Sequence, residues 1–284
     1  MLLSVSSYSF SAYVKESGAD YAALCRQAKE IGFSGIEFTD LVPEEAGART
    51  EEEAALRVRE ACEKQGLAAV AYTVGANFQT EEPEKEAERL CRKADIAALL
   101  GAGLMRHDAA FSLKTQPRYT WEDGIRDMAP FIRQVAAYAE EKGIRTMTEN
   151  HGYIYQDPER VKALILAVNH PNFGWLFDLG NFSVADRSAT EALGHAAPYI
   201  FHVHAKDMLL KKGDILPPSG FFRSRGGNFW RGTVLGHGSV PVAETLLALK
   251  QTGYNGAVTL EFEGPEDCLS ALRWGYEYLS RLDL

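Results

Sequence analysis

Short runs rich in apolar and β-branched residues alternate along the chain with longer amphipathic stretches, many closed by glycine. The first run is LLSVSSYSF (2–10). DYAALCRQAKEIG then reads as a helix stopped at Gly32, because glycine tolerates the left-handed turn that ends a helix. GIEFTD (35–40) is a second strand, and TEEEAALRVREACEKQG (50–66) a helix with an acidic first turn. The strand LAAVAYTVGAN (67–77) precedes the helix PEKEAERLCRKADIAALLGAG, and LMRHDAAF (104–111) precedes a long helix over 120–143. The second half continues with strands IRTMTENHG (144–152), FGWLFDLGNF (173–182), YIFHVHAKD (199–207) and GAVTLEFEG (256–264). Helices are expected from DPERVKALILAVNH, from 186–196, from VPVAETLLALKQTGY and from PEDCLSALRWGYEYLSRL, with a long loop over 208–233.

Eight strand–helix units without a linker predict one (β/α)8 barrel, an α/β fold filling residues 1–284 as a single domain. The runs are apolar on both faces, as buried parallel strands require. An open doubly wound sheet would carry a glycine-rich phosphate turn after its first strand, and SVSSYSFSA has no glycine.

Composition narrows the function. The 284 residues are 46% hydrophobic, enough for a sizeable core, and the net charge of −9 argues against a nucleic-acid partner. No apolar run approaches the roughly 20 residues a membrane helix needs, so no membrane partner is expected. The N-terminal segment lacks a basic region and a cleavage site. Cys25, Cys62, Cys91 and Cys268 form no CxxC pair and read as reduced thiols, which suits the cytoplasm.

Active sites of such barrels lie at the C-terminal ends of the strands. Glu37 and Asp40 end the second strand and Asn77 the third, while His107 and Asp108 lie within the fourth. Glu149, Asn150 and His151 end the fifth, and Asp178 and Asn181 the sixth. His202, His204, Lys206 and Asp207 end the seventh, and Glu261 and Glu263 the last. Four consecutive strands thus bring a carboxylate or imidazole to one mouth. Buried carboxylates cost several kcal/mol each unless neutralised. A divalent cation is the simplest neutraliser, and the mixed oxygen–nitrogen donors suit Mn²⁺, Mg²⁺, Co²⁺ or Zn²⁺. Isolated strand-end charges paired with nearby lysines or arginines are the alternative.

Strand parity sorts the candidates. His202, His204 and Lys206 share a face, with His204 nearer the mouth and His202 either packed in the core or supporting a ligand. Glu149 and His151 share a face, and His151 either touches substrate or caps the next helix. Glu261 is deeper than Glu263 and the better ligand.

TENHG, FDLGNF, HVHAKD, LGHGSVP and TLEFEG together resemble the xylose isomerase-like sugar isomerase/epimerase superfamily. It includes ketose 3-epimerases, hydroxypyruvate isomerases, inosose dehydratases and endonuclease IV-type enzymes. The resemblance covers nearly the whole chain and is strongest over 144–264. It implies a metal held by Glu149, Asp178, His204 and Glu261, with Glu149 and Glu261 also exchanging the proton of the carbon beside a carbonyl. The substrate implied is a small sugar or polyol-derived ketone, and the reaction epimerisation or isomerisation through an ene-diolate. Dehydration by loss of a β-hydroxide shares the first step.

Two positions depart from the epimerase pattern: Asn181 stands where a histidine is usual, and Leu210 where an arginine is. The nuclease relatives carry an Asp-Arg-His triplet before the glycine-rich segment, where this chain has FWRGTV. His107 matches one nuclease ligand, but its partner is missing near Tyr72–Asn77. A barrel that binds a metabolite without turnover is the reading from another class.

Candidates for substrate contact are Lys206, His151, Asn181, His107 and Arg223. The 208–233 segment is longer than ordinary loops, which predicts a lid or binding loop. From Lys206 to Arg231 it carries Lys206, Lys211, Lys212, Arg223, Arg225 and Arg231 against Asp207 and Asp214. That bias points to an anionic substrate, or else to a solvated loop or a subunit contact in a homo-oligomer. Tyr8, Phe10, Phe78, Phe111, Phe182 and Trp230 are candidate pocket walls.

Overall fold

The structure, a computed structural model, describes residues 1–213, 216 and 219–284. Asp214 lies outside the described residues. Eight parallel strands close into a barrel: β1 (Leu2–Ser6), β2 (Gly35–Thr39), β3 (Ala68–Val74), β4 (Leu104–His107), β5 (Arg145–Glu149), β6 (Phe173–Asp178), β7 (Ile200–Ala205) and β11 (Ala257–Leu260). Around the ring they run β1-β11-β7-β6-β5-β4-β3-β2. Helices α1 (Ser11–Ser17), α2 (Tyr21–Ile31), α3 (Glu51–Gln65), α4 (Pro83–Leu100), α5 (Trp121–Glu141), α6 (Pro158–Val168), α7 (Ala189–Ala196), α8 (Val242–Gln251) and α9 (Cys268–Ser280) surround it.

The local signals behave as their chemistry requires. Thr50 accepts a hydrogen bond from Glu53 N at the start of α3, and Gly66 closes that helix at φ 63°. Thr120 and Asp123 cap α5 reciprocally. The first strand is shorter than its apolar run, because residues 7–10 turn into a 3-10 helix leading to α1.

Period-two alternation divides the strand residues between two cores. Val5, Ile36, Phe38, Tyr72, Met105, Trp175, Phe177, Val203 and Leu260 belong to the large cluster beneath the helices. Fully burying each such side chain stabilises the fold by about 2 kcal/mol. Ala71, Met147 and Leu176 form a separate small cluster inside the barrel, with Leu104 and Phe201 against it. The rest of the interior is polar. Ser4, Glu37, His202 and Thr259 are fully buried and joined in a chain: Ser4 Oγ to Thr259 Oγ1 (2.6 Å), Thr259 Oγ1 to His202 Nε2 (2.9 Å), His202 Nε2 to Glu37 Oε2 (3.1 Å).

The segment expected as a long loop is partly ordered. β8 (Asp207–Lys211), β9 (Phe222–Arg223) and β10 (Phe229–Thr233) make a small antiparallel sheet in the order β8-β10-β9. Asp207 pins it down. Its Oδ1 accepts from Met208 N and Val240 N, and its Oδ2 from Gly236 N and Gly238 N. Among the described residues, no helix is long and apolar enough to cross a membrane.

Candidate functional site

The ends of β5, β6, β7 and β11 bring Glu149, Asp178, His204 and Glu261 together, each offering an atom within 4.8 Å of the others. His204 Nδ1 lies 3.8 Å from Glu149 Oε1, 3.6 Å from Asp178 Oδ2 and 3.4 Å from Glu261 Oε2. Bonds of about 2.0–2.2 Å to an ion would set neighbouring donors roughly 3–3.5 Å apart. Only the Glu261 distance already matches, and the Asp178 and Glu149 oxygens would draw in by a few tenths of an ångström around a small divalent cation. Three of the atoms, Asp178 Oδ2, His204 Nδ1 and Glu261 Oε2, are buried without a well-formed hydrogen bond. A convergent donor set of this kind fits a metal, although the Lys206 ammonium already lies against its two carboxylates.

Glu37, His202 and His204 also gather on the inner side. There the donor atoms already have partners. His204 Nε2 lies 3.1 and 3.0 Å from the two Glu37 oxygens, and His202 Nε2 is shared between Glu37 and Thr259. Burial alone would raise the Glu37 pKa, but the two imidazoles outweigh it and hold the carboxyl well below its usual range. Glu37 is therefore an ionised support beneath His204.

Lys206 enters the same centre. Its Nζ lies 2.5 Å from Glu261 Oε2, 3.1 Å from Asp178 Oδ2 and 3.0 Å from Glu263 Oε1. Burial would lower its pKa, yet these carboxylates raise it well above the ordinary lysine value. The side chain is an ammonium with 3% exposure, close enough to the candidate ligand atoms to compete with a cation for them.

Other contacts fix Glu149. Arg106 Nη2 bridges Glu149 Oε2 and Asp108 Oδ1, both at 2.7 Å, and Asn181 Nδ2 donates to Glu149 Oε1 at 2.7 Å. Asp108 Oδ1 also meets His151 Nδ1 at 2.8 Å. Burial pulls the His151 pKa down, but Asp108 and the Glu149 charge raise it above the usual value. Arg106, Glu149, His151, His204, Lys206 and Glu261 border a cavity of about 320 Å³ at the barrel mouth, which Tyr8, Thr39, Thr73 and Glu263 also line.

Of the substrate candidates, Lys206 and His151 face this cavity, while Asn181 and Arg223 border an adjoining one. His107 does neither. It is fully buried on the helix side of β4, stacked on Phe173 and edge-on to Phe78, with Nδ1 on Asp108 O. Parity is the reason: Arg106 turns into the barrel, so His107 must turn out. Arg106, absent from the sequence-based candidates, is the β4 residue that the same alternation from Leu104 turns inward. Among the expected pocket walls, Tyr8 and Phe111 line cavities, whereas Phe10, Phe78, Phe182 and Trp230 are buried. The basic bias of the 206–231 segment is largely spent internally: Lys206 pairs as above, Arg225 with Asp157 and Arg231 with Glu266.

A family model described as xylose isomerase-like TIM barrel matches residues 25–280. The inosose dehydratase of Clostridium perfringens is 25% identical over 143 residues, 50% of this chain and 48% of that protein. The chain spans about half the length of the curated relatives it matches. A probable 3-DHS dehydratase from Bacillus anthracis superposes with a TM-score of 0.78 at 18% identity over 99% of both chains. A D-allulose 3-epimerase from Methylomonas sp. gives 0.73 at 17% identity, covering 99% of this chain and 97% of that one. At such identities the structural likeness is one of fold.

Proposed function

The chain belongs to the xylose isomerase-like TIM-barrel family, and on that premise we propose that it is a divalent-metal-dependent isomerase or epimerase of a small sugar or polyol-derived ketone. The observation that carries this reading is the convergence of Asp178 Oδ2, His204 Nδ1 and Glu261 Oε2 beside Glu149, with no well-formed hydrogen bond to any of the three and only the Lys206 ammonium against the two carboxylates. A divalent ion bound there, Mn²⁺, Mg²⁺, Co²⁺ or Zn²⁺, would supply Lewis-acid stabilisation of the negative charge that develops on a carbonyl oxygen as the neighbouring carbon loses its proton.

The chain's own groups account for the rest. Glu149 and Glu261 stand on β5 and β11, with β6 and β7 between them, so they reach a substrate from different directions. One takes the proton from the carbon beside the carbonyl. Return by the other inverts that centre, and return to the adjacent carbon moves the carbonyl. Arg106 and Asn181 orient Glu149, and Lys206 holds Glu261 and a substrate oxygen. Glu37 fixes the ring of His204.

Dehydration is the second reading, favoured by the contact between Asp108 and His151 at the cavity wall. An imidazolium held there can protonate a departing hydroxyl, and two of the proteins this chain resembles bear the name dehydratase. The acidic net charge fits a small-molecule substrate better than nucleic acid, and the free cysteines fit the reducing cytoplasm.

The test is proton exchange in D2O. Protein loaded with each metal in turn is incubated with ketoses, inososes and hydroxypyruvate and followed by NMR. Metal-dependent loss of the signal beside the carbonyl is expected. Exchange that is absent throughout, or indifferent to chelation, refutes the reading.

A further inference from the structure

A second cavity, of about 520 Å³, adjoins the first and shares His151 and Glu263 with it. Its walls are of another kind. Phe111, Tyr153 and Phe222 present rings that are 48%, 48% and 39% exposed, with Arg223 at the edge. Five aromatic side chains are exposed among the described residues, and all but Trp274 border one of these two cavities. Single exposed apolar residues need no explanation, but a cluster around a polar pocket does.

The placement of Tyr153 is costly. It has φ 73°, a left-handed conformation that bulky side chains rarely adopt, and it follows Gly152 at φ 79°. Gln156 Oε1 accepts from Tyr153 N, Arg225 donates to Tyr153 O, and the Arg225 guanidinium lies over the ring. Backbone strain of about 1–3 kcal/mol persists only where the surroundings enforce it, and such residues cluster at ligand sites. Here the turn projects an aromatic ring into the cavity. Phe222 arrives from the small sheet, whose anchor is the Asp207 clamp.

We propose that this second cavity is a subsite for a second ring, so that the substrate is a keto-sugar carrying another six-membered ring through an oxygen bridge. The inference rests on the proposed function and names its substrate class. The first cavity is lined almost wholly by charged and hydroxyl side chains, which suits the reacting, oxygen-rich ring. The second offers aromatic faces for the apolar C–H face of a ring. Arg223, which makes no ion pair among the described residues, is available to its hydroxyls. Because His151 and Glu263 border both cavities, one molecule can span them.

Binding is measured by calorimetry on metal-loaded protein with glucose, maltose, cellobiose and 4-nitrophenyl β-D-glucoside. None of these needs to react, so the result stands whether or not proton exchange is found. At least one ring-extended probe is expected to bind about tenfold more tightly than glucose. Phe222→Ala, and Tyr153→Asn, which keeps a residue tolerant of left-handed φ, are expected to bring that advantage below about threefold while leaving glucose binding within about twofold. Gain by the disaccharides identifies a sugar as the second ring, and gain by the nitrophenyl glucoside alone identifies an aryl group. Equal affinity for glucose and all extended probes overturns the proposal, as does an equal loss for all probes in both variants. Absent proton exchange with intact discrimination would instead count against the proposed chemistry alone.

Discussion

Glu37 and His204 are locked together inside the barrel, with both carboxylate oxygens 3.0–3.1 Å from Nε2. Nε2 is held by Glu37 while Nδ1 faces Glu149, Asp178 and Glu261. Burial would lower the His204 pKa, but Glu37, Glu261 and Asp178 raise it well above the ordinary value, so a cation bound at Nδ1 would take the place of a proton. With a cation at Nδ1, Glu37 would hold the proton on Nε2 and raise the basicity of the ligating nitrogen.

Glu37→Gln should weaken divalent metal binding by about 10–100-fold, because a neutral amide supports the imidazole less and one amide end cannot accept. Competition with a fluorescent chelator measures the affinity, and circular dichroism checks that the fold persists. Unchanged affinity in a folded variant would reduce Glu37 to a packing element.

Lys206 sits 2.5 Å from Glu261 Oε2 and 3.1 Å from Asp178 Oδ2, the atoms a metal would need. The ammonium and the ion therefore compete. Lys206→Met should tighten metal binding by about tenfold while lowering the stability of the metal-free protein by about 3 kcal/mol, since buried carboxylates lose their cation. Metal titration and urea unfolding of the metal-free form check the two halves. Weaker metal binding in the variant would mean that Lys206 supports the ion instead.

Asp207 offers two buried oxygens to four backbone N–H groups. Asp207→Asn replaces one acceptor by a donor and leaves two N–H groups unpaired. A loss of about 2–4 kcal/mol is expected in urea unfolding. A loss under about 0.5 kcal/mol would show that water or a shifted loop satisfies those groups.

The barrel was legible because each strand is apolar on the helix side, and the candidate metal ligands because they end four consecutive apolar runs. What escaped lies where the partner is remote or the period is lost. Glu37 was visible as a strand-end acid, but its partners stand on β7, across β1 and β11. The small sheet pairs Asp207–Lys211 with Phe229–Thr233 across a gap that no local pattern bridges. Tyr153 lies in a turn and Phe222 in a two-residue strand, too short for alternation to speak. In β4, His107 and Arg106 are adjacent, and alternation from Leu104 admits only Arg106 to the barrel interior.

His107 carries the last prediction, because its position makes it a pH-dependent element of stability. Burial between Phe78 and Phe173 lowers its pKa from 6.5 to about 4, so it is neutral when folded. Above pH 6.5 it is neutral folded and unfolded, and its contribution is complete. Between 6.5 and about 4 the unfolded chain binds a proton that the folded protein refuses, so stability falls as pH falls, by up to about 1.4 kcal/mol per unit. Below about 4 the folded form also protonates and the loss from this group levels off. His107→Phe keeps a ring in the stack, loses the Nδ1 contact with Asp108 O and removes the proton site. Any offset in stability at pH 7 cancels, because the comparison is of slopes. From pH 7 to 5 it should lose roughly 1–2 kcal/mol less than the parent, with the pH response of His202, also lowered by burial, common to both proteins. Urea unfolding at half-unit intervals gives both curves. Parallel curves would show that the folded protein admits the proton to His107, and would remove it from the acid limb.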